Sequence, residues 1–181
     1  TEEPQTTQAW ARGASGEERL AKALGARLTN HAIALHDRRV PRTRGNIDHL
    51  VIGPTGVWII DAKAYTGKIE RRDKGGLFKT DMRLYVGGHD RSKAVAGLQW
   101  QVDAVRAALG TNSAPVHPVL CFTDAEWGLL SRPFTLGGVL CTYAKALAQA
   151  INASGPLGPD RVVEIAQHLA MSLPAGTGSR S

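Results

Sequence analysis

The chain has 181 residues, 43% of them hydrophobic, and 22 Lys and Arg against 16 Asp and Glu give a formal net charge of +6. That length suits one globular domain with a sizeable core. No apolar run approaches the roughly 20 residues of a membrane helix, which excludes a helical membrane anchor within this sequence.

Cys121 and Cys141 form no C-x-x-C pair, and each lies in an apolar run. They read as buried free thiols of a reducing, cytoplasmic compartment, and they argue against a zinc site. Between Arg38 and Lys93 there are thirteen basic and six acidic residues. The whole positive excess therefore sits in one segment, and it points to a polyanionic partner rather than a merely solvated face. Acids alone would repel a phosphate backbone, whereas acids holding a metal and ringed by Arg and Lys would not.

Taken in order, residues 1–12 are polar and aperiodic and read as an arm or an extra helical turn. Gly13-Ala-Ser-Gly-Glu-Glu then opens a helix, and the S-x-x-E spacing of Ser15 and Glu18 predicts Ser15 as its N-cap. Leu20, Ala21, Leu24 and Leu28 form its buried stripe. Glu17 lies one turn before Ala21 and falls on the same inward face. Its carboxylate is either stabilised by the free amides and dipole of a helix start or serves as a metal ligand. The Gly13-x-x-Gly16 pair lacks the Walker lysine and the dinucleotide fingerprint, so it carries little weight as a phosphate loop.

A first strand is expected over Ile33–Val40, followed by a basic loop with Arg42 and Arg44. Asn46–Lys63 reads as a β-hairpin around the turn Gly53-Pro-Thr-Gly56. A strand bent at Gly67 follows Tyr65, and two short strands are expected at Leu77–Thr80 and Arg83–Val86. One helix from Ser92 carries Val95, Leu98, Val102, Val105 and Leu109 at core spacing. Val116–Thr123 is a buried strand whose Pro118 argues for an edge or irregular start. A short strand at Gly138–Thr142 and two helices, Tyr143–Ala153 and Asp160–Met171, complete the chain. The expected division is an arm (1–12), a single domain (13–173, with core 13–142 and helical extension 143–173) and a disordered tail (174–181). Helix, β-meander, helix and strand in this order make an α/β fold with a mixed central sheet flanked by helices.

The chemistry concentrates in the hairpin. Asp48 is on its first arm, and Asp61 and Lys63, at i and i+2, share one face of its second arm. Carboxylates this close raise each other's pKa unless a cation lies between them. Oxygen ligands of this kind suit Mg²⁺ or Mn²⁺, which acidify a bound water and neutralise charge building on phosphorus. Lys63 could orient that water or stabilise the added charge. A structural ion-pair network in which Lys63 neutralises Asp61 and Asp48 accounts for the spacing equally well. His49 should point to the opposite face of its strand, as a core or partly exposed histidine rather than a general base.

These stretches, Gly13-Ala-Ser-Gly-Glu-Glu, Asn46–Lys63 and Tyr65-Thr-Gly, resemble the NERD (nuclease-related) domain over about residues 13–123. That domain is grouped with the PD-(D/E)xK nucleases, so the resemblance implies a restriction-endonuclease-like core. It also implies a Mg²⁺- or Mn²⁺-dependent nuclease acting on DNA, favoured over RNA, or a non-catalytic binding module of the same fold. Glu17, Asp48 and Asp61 match the metal-binding acids. Lys63 matches the lysine of the (D/E)xK pair, and Gln101 matches the glutamine of the later helix. Ile47 stands where the superfamily has proline, and the third acid is Asp rather than Glu. The basic segments with Arg38, Arg39, Arg42 and Arg44, and with Lys68, Arg71, Arg72, Lys74 and Lys79, would hold backbone phosphates without reading bases. A homodimer is compatible with this reading.

Overall fold

A computed structural model of the chain describes residues 5–129 and 131–176, and of residues 5–10 the backbone alone. Helix α1 spans Gln5–Gly25, and the strands β1 (Ile33–Arg39), β2 (Asn46–Gly53) and β3 (Gly56–Lys63) form an antiparallel meander. The hairpin is the one expected from the Gly-Pro-Thr-Gly turn, with Gly53 opposite Gly56.

A smaller sheet follows, built from β4 (Gly67–Asp73), β5 (Met82–Val86) and β6 (His89–Asp90). After it come α2 (Ser92–Ala96), α3 (Gln99–Leu109) and β7 (Val116–Phe122), then β8 (Ala125–Glu126), β9 (Phe134–Leu136) and β10 (Val139–Thr142). Helices α4 (Ala144–Asn152) and α5 (Pro159–Ser172) follow. The main sheet has the order β1-β2-β3-β7-β10-β9, with β7 parallel to both β3 and β10, and the smaller one has the order β6-β5-β4-β8. This is a mixed α/β core consistent with a restriction-endonuclease-like fold.

Strand alternation sorts the core into two layers. Leu50, Ile52, Val57 and Ile59 pack with Leu98, Val102 and Val105 of the α2–α3 segment and with Val162, Ile165 and Leu169 of α5. Val51, Trp58 and Ile60 face the other way, onto Leu20 and Leu24 of α1 and Leu147 and Ile151 of α4. Cys121 and Cys141 are free and buried, and burial pushes both thiols up to about 12. No helix among the described residues is long and apolar enough to cross a membrane.

Four local expectations are corrected. Ser15 is not an N-cap: α1 already runs from Gln5, so the S-x-x-E pair lies mid-helix with both residues exposed, and residues 5–12 take the helical one of the two forms expected for them. The strand expected at Leu77–Thr80 is a turn closed by a single bridge between Gly76 and Lys79. The helix from Ser92 breaks at Gly97-Leu98 into α2 and α3, because glycine weakens a helix interior. Pro118 sits in a central strand. Thr123 donates to Lys63 O, so by alternation Pro118 turns its missing N–H toward β10, whose pairing begins only at Val119. The start of the C-terminal tail is also ordered: Arg39 donates to Pro174 O, and Gly176 donates to Asp37 O. Residues 1–4 and 177–181 lie outside the described residues.

Candidate active site

Helix α1 reaches the sheet at Gly16. A Cβ built there would stand 3.1 Å from Ala64 Cβ and 3.4 Å from Thr123 Oγ1. The glycine thus permits close helix–sheet approach, and the Gly13-x-x-Gly16 pair has a packing explanation. The bidentate ion pair of Arg19 with Asp124, at 2.8 Å for each bond, ties the same turn of α1 to the loop after β7. One residue on from Gly16, Glu17 enters an open cavity of about 460 Å³. Its walls include Arg12, Glu17, Asp48, Asp61, Lys63, Tyr65 and Arg91.

The strands deliver their carboxylates in a row. The register that pairs His49 with Ile60 would set Asp48 opposite Asp61 at its next step. The register of β1 with β2 pairs His36 with His49 and Arg38 with Ile47, and skips the position between, Asp37 opposite Asp48. Like charges directly opposite one another destabilise a sheet. Both ladders lack the acidic pair at this row, and Asp37 takes a positive φ of 45°.

The electrostatics follow from this crowding. Burial, then the charges of Glu17 and Asp61, push Asp48 up to about 6, with Lys63 opposing and Asp37 adding. Glu17 is raised by burial and by Asp61. Asp61 is raised by burial, although Lys63 pulls it back down. Lys63 Nζ stands 2.9 Å from Asp61 Oδ2, with the two side chains 25% and 14% exposed. Burial alone would lower Lys63, but the Asp61 charge and hydrogen bond, helped by Tyr65 and Asp48, raise it overall. Glu17 and Asp48 each feel the charge of Asp61, Lys63 offsets Asp61 directly, and the guanidinium groups of Arg12 and Arg91 in the same wall balance the formal charge of the cavity.

The donor set therefore suits a hard divalent cation, since all three ligand candidates offer carboxylate oxygens. Among the described residues, however, no three His, Cys, Asp or Glu side chains are drawn together as a ready-made metal cage. Asp61 is instead held by Lys63.

Of the expected site residues, the structure brings Glu17, Asp48, Asp61 and Lys63 together and leaves Gln101 out of the cavity wall. Gln101 is 8% exposed on the buried face of α3, and its Oε1 has no hydrogen-bond partner among the described residues. His49 is buried on the far face, as expected, with its Nδ1 2.8 Å from that of His36. Arg38 donates to Leu173 O and Ala170 O, so its guanidinium caps the C-terminus of α5. Lys68 and Arg72 both pair with Glu70, and Arg72 also lies over the Tyr85 ring at 4.4 Å. Arg71 lies over the Phe134 ring at 5.4 Å. Arg39, Arg42, Arg44, Lys74 and Lys79 are exposed.

Sequence reasoning missed Arg91 and Asp37. Arg91 stacks its guanidinium over Tyr65 at 4.4 Å, and its buried Nε has no hydrogen-bond partner among the described residues. No motif marks it, since it reaches the cavity only because β4 to β6 fold out and return. Asp37 was findable: a hairpin closing over residues 40–45 pairs position 37 with position 48.

The sequence family described as NERD, nuclease-related domain, matches residues 12–123, more than half of the chain. Neither the curated proteins nor the solved structures offer a significant match. The matched stretch contains Glu17, Asp48, Asp61, Lys63 and Arg91, so the family signature and the acidic cavity coincide, and the chain belongs to the NERD, nuclease-related domain, family.

Proposed function

We propose that this domain is a divalent-metal-dependent nuclease that hydrolyses phosphodiester bonds in DNA. The observation that carries the reading is one cavity lined by Glu17, Asp48, Asp61 and Lys63, inside a nuclease-related domain. Glu17, Asp48 and Asp61 would hold Mg²⁺ or Mn²⁺, which when bound acidifies water and neutralises charge on the phosphate. Lys63 would turn from Asp61 to the attacking water or to the non-bridging oxygen that gains charge as the new P–O bond forms, while the P–O bond to the leaving sugar oxygen breaks and that oxygen takes a proton from solvent. Arg91, stacked on Tyr65, presents guanidinium N–H groups to a non-bridging phosphate oxygen, and Arg12 adds a second positive group at the rim. The exposed Arg39, Arg42 and Arg44 would hold flanking phosphates independently of sequence. Incubation of plasmid and single-stranded DNA with Mg²⁺, Mn²⁺ or EDTA tests the reading. Metal-dependent nicking is expected, and cleavage that survives both Asp61→Ala and Lys63→Ala would defeat it.

A second reading, a nucleic-acid-binding module without catalysis, is favoured by the Lys63–Asp61 pair and by the lack of a ready-made cage among the described residues. It expects salt-sensitive DNA binding and no heat when Mn²⁺ is titrated into the wild type. The nuclease reading expects heat from the wild type and none from Asp48→Ala.

A further inference from the structure

Between Thr66 and Arg91, both in the cavity wall, the chain leaves the core as the antiparallel wing β4–β5–β6 and returns. Its base is anchored by Ile69, Leu84 and Val86, all buried in the core. Beyond Arg71 nearly every residue out to Arg83 is exposed. The wing ends in the four-residue turn Gly76-Leu-Phe-Lys79, and at its two central positions stand Leu77, 98% exposed, and Phe78, 101% exposed. Hairpin tips ordinarily carry Asn, Asp or Gly, which suit the backbone and the solvent. Leu and Phe do neither, and each would gain from burial. The loop is held at its base, where Asp73 accepts from the amides of Gly75 and Asp81 at 2.8 and 2.9 Å, while the turn itself is closed by a longer bond from the Lys79 amide to Gly76 O at 3.4 Å. Lys74 and Lys79 flank the tip, and among the described residues neither has an ion-pair partner.

We infer that this wing is a second nucleic-acid-binding element, whose apolar tip wedges into a groove of double-stranded DNA while Lys74 and Lys79 hold the neighbouring phosphates. The inference rests on the nucleic-acid part of the function proposed above. Seven residues of β4 extend roughly 20 Å. Only a long ligand can touch both the root at the cavity and the tip, and on a duplex that span is about six base steps. Paired lysines beside two large apolar side chains match the chemistry of a wedge, in which Phe and Leu part a base step beside a charged backbone.

The test measures fluorescence anisotropy of a labelled 20-base-pair duplex and of its single strand, in EDTA, at several salt concentrations. It compares the wild type with Leu77→Ser/Phe78→Ser and with Lys74→Ala/Lys79→Ala. The tip variant should bind the duplex at least about tenfold more weakly, with an unchanged slope of log affinity against log salt. The lysine variant should lose about two units of that slope. Melting temperatures should match the wild type, since all four side chains are exposed. Equal duplex binding by the wild type and the tip variant overturns the wing and leaves the nuclease reading standing. Absence of wild-type binding to either strand form, both in EDTA and with Ca²⁺ in its place, overturns both. Unchanged duplex binding with lost association to phosphatidylserine vesicles, or with lost self-association in sedimentation, would assign the tip to a membrane or to a second copy.

Discussion

At Lys63 one ammonium serves two incompatible purposes. Resting at 2.9 Å from Asp61 it neutralises a half-buried carboxylate, and in the proposed reaction it must leave that oxygen free for a cation. Lys63→Met separates the two roles. Cleavage should fall at least about a hundredfold, the range of a lost electrostatic stabiliser, while Mn²⁺ affinity measured by calorimetry should hold or rise because a competing cation is gone. If metal binding disappears with Lys63, the pair is a structural unit rather than a poised one. Arg91 makes a complementary case. Arg91→Ala should slow single-turnover cleavage about tenfold to a hundredfold, as expected for one hydrogen bond to a charged group. Arg91→Lys should recover little of it, since an ammonium neither stacks on Tyr65 as a planar fork does nor offers paired donors. Full rescue by lysine would show that only net charge matters there.

Among the elements, α1 carries the most consequence, because it alone brings Glu17 to acids borne by the sheet. Its approach is set by Gly16, where any side chain meets Ala64 and Thr123. Gly16→Val should destabilise by about 1–3 kcal/mol through overpacking and weaken Mn²⁺ binding by moving Glu17, whereas a β-branched residue at exposed Glu18 should cost only propensity. Urea unfolding and calorimetry on both variants check this, and equal metal affinity in Gly16→Val would remove Glu17 from the ligand set. The glycines and the S-x-x-E pattern were legible, but their meaning was not. Capping-box spacing also arises by chance on a helix surface, and the aperiodic residues 5–12 leave arm and helix equally open. Pro118 misled for a related reason: a strand can hold proline centrally when its missing N–H faces an unpaired stretch of its neighbour, and that depends on β10, which begins only at Val139. Hairpin, alternation and the inward face of α1 were readable because each rests on spacing within one segment. Arg91 was not, because its place depends on the path of a whole wing.

Across the molecule, two groups of titratable side chains respond to pH in opposite senses. His49 is held down to about 4 by burial and by His36, which is itself lowered by burial. Its contribution is present above the ordinary histidine value and is lost as pH falls toward 4. Asp48 is raised to about 6, so its contribution is present below the ordinary aspartate value and is lost as pH rises through 6. Metal-free protein at neutral pH thus retains the repulsion of its acidic row, and a bound cation would remove it. Mn²⁺ at a hundredfold above its dissociation constant contributes about 2.7 kcal/mol, which for a domain of this size raises the melting temperature by roughly 5–10 °C. That rise should shrink as pH falls through 6, where protons compete with the ion for Asp48. Asp48→Asn should melt higher than the wild type without metal at pH 7.5, by about 2–4 °C for each kcal/mol of relieved repulsion, and should gain little from Mn²⁺. The two effects have opposite signs in one variant, so calorimetric scans of both proteins with and without Mn²⁺ separate a metal site from a charged core. An Asp48→Asn protein stabilised by Mn²⁺ as much as the wild type would place the ion elsewhere and take the acidic row out of the mechanism.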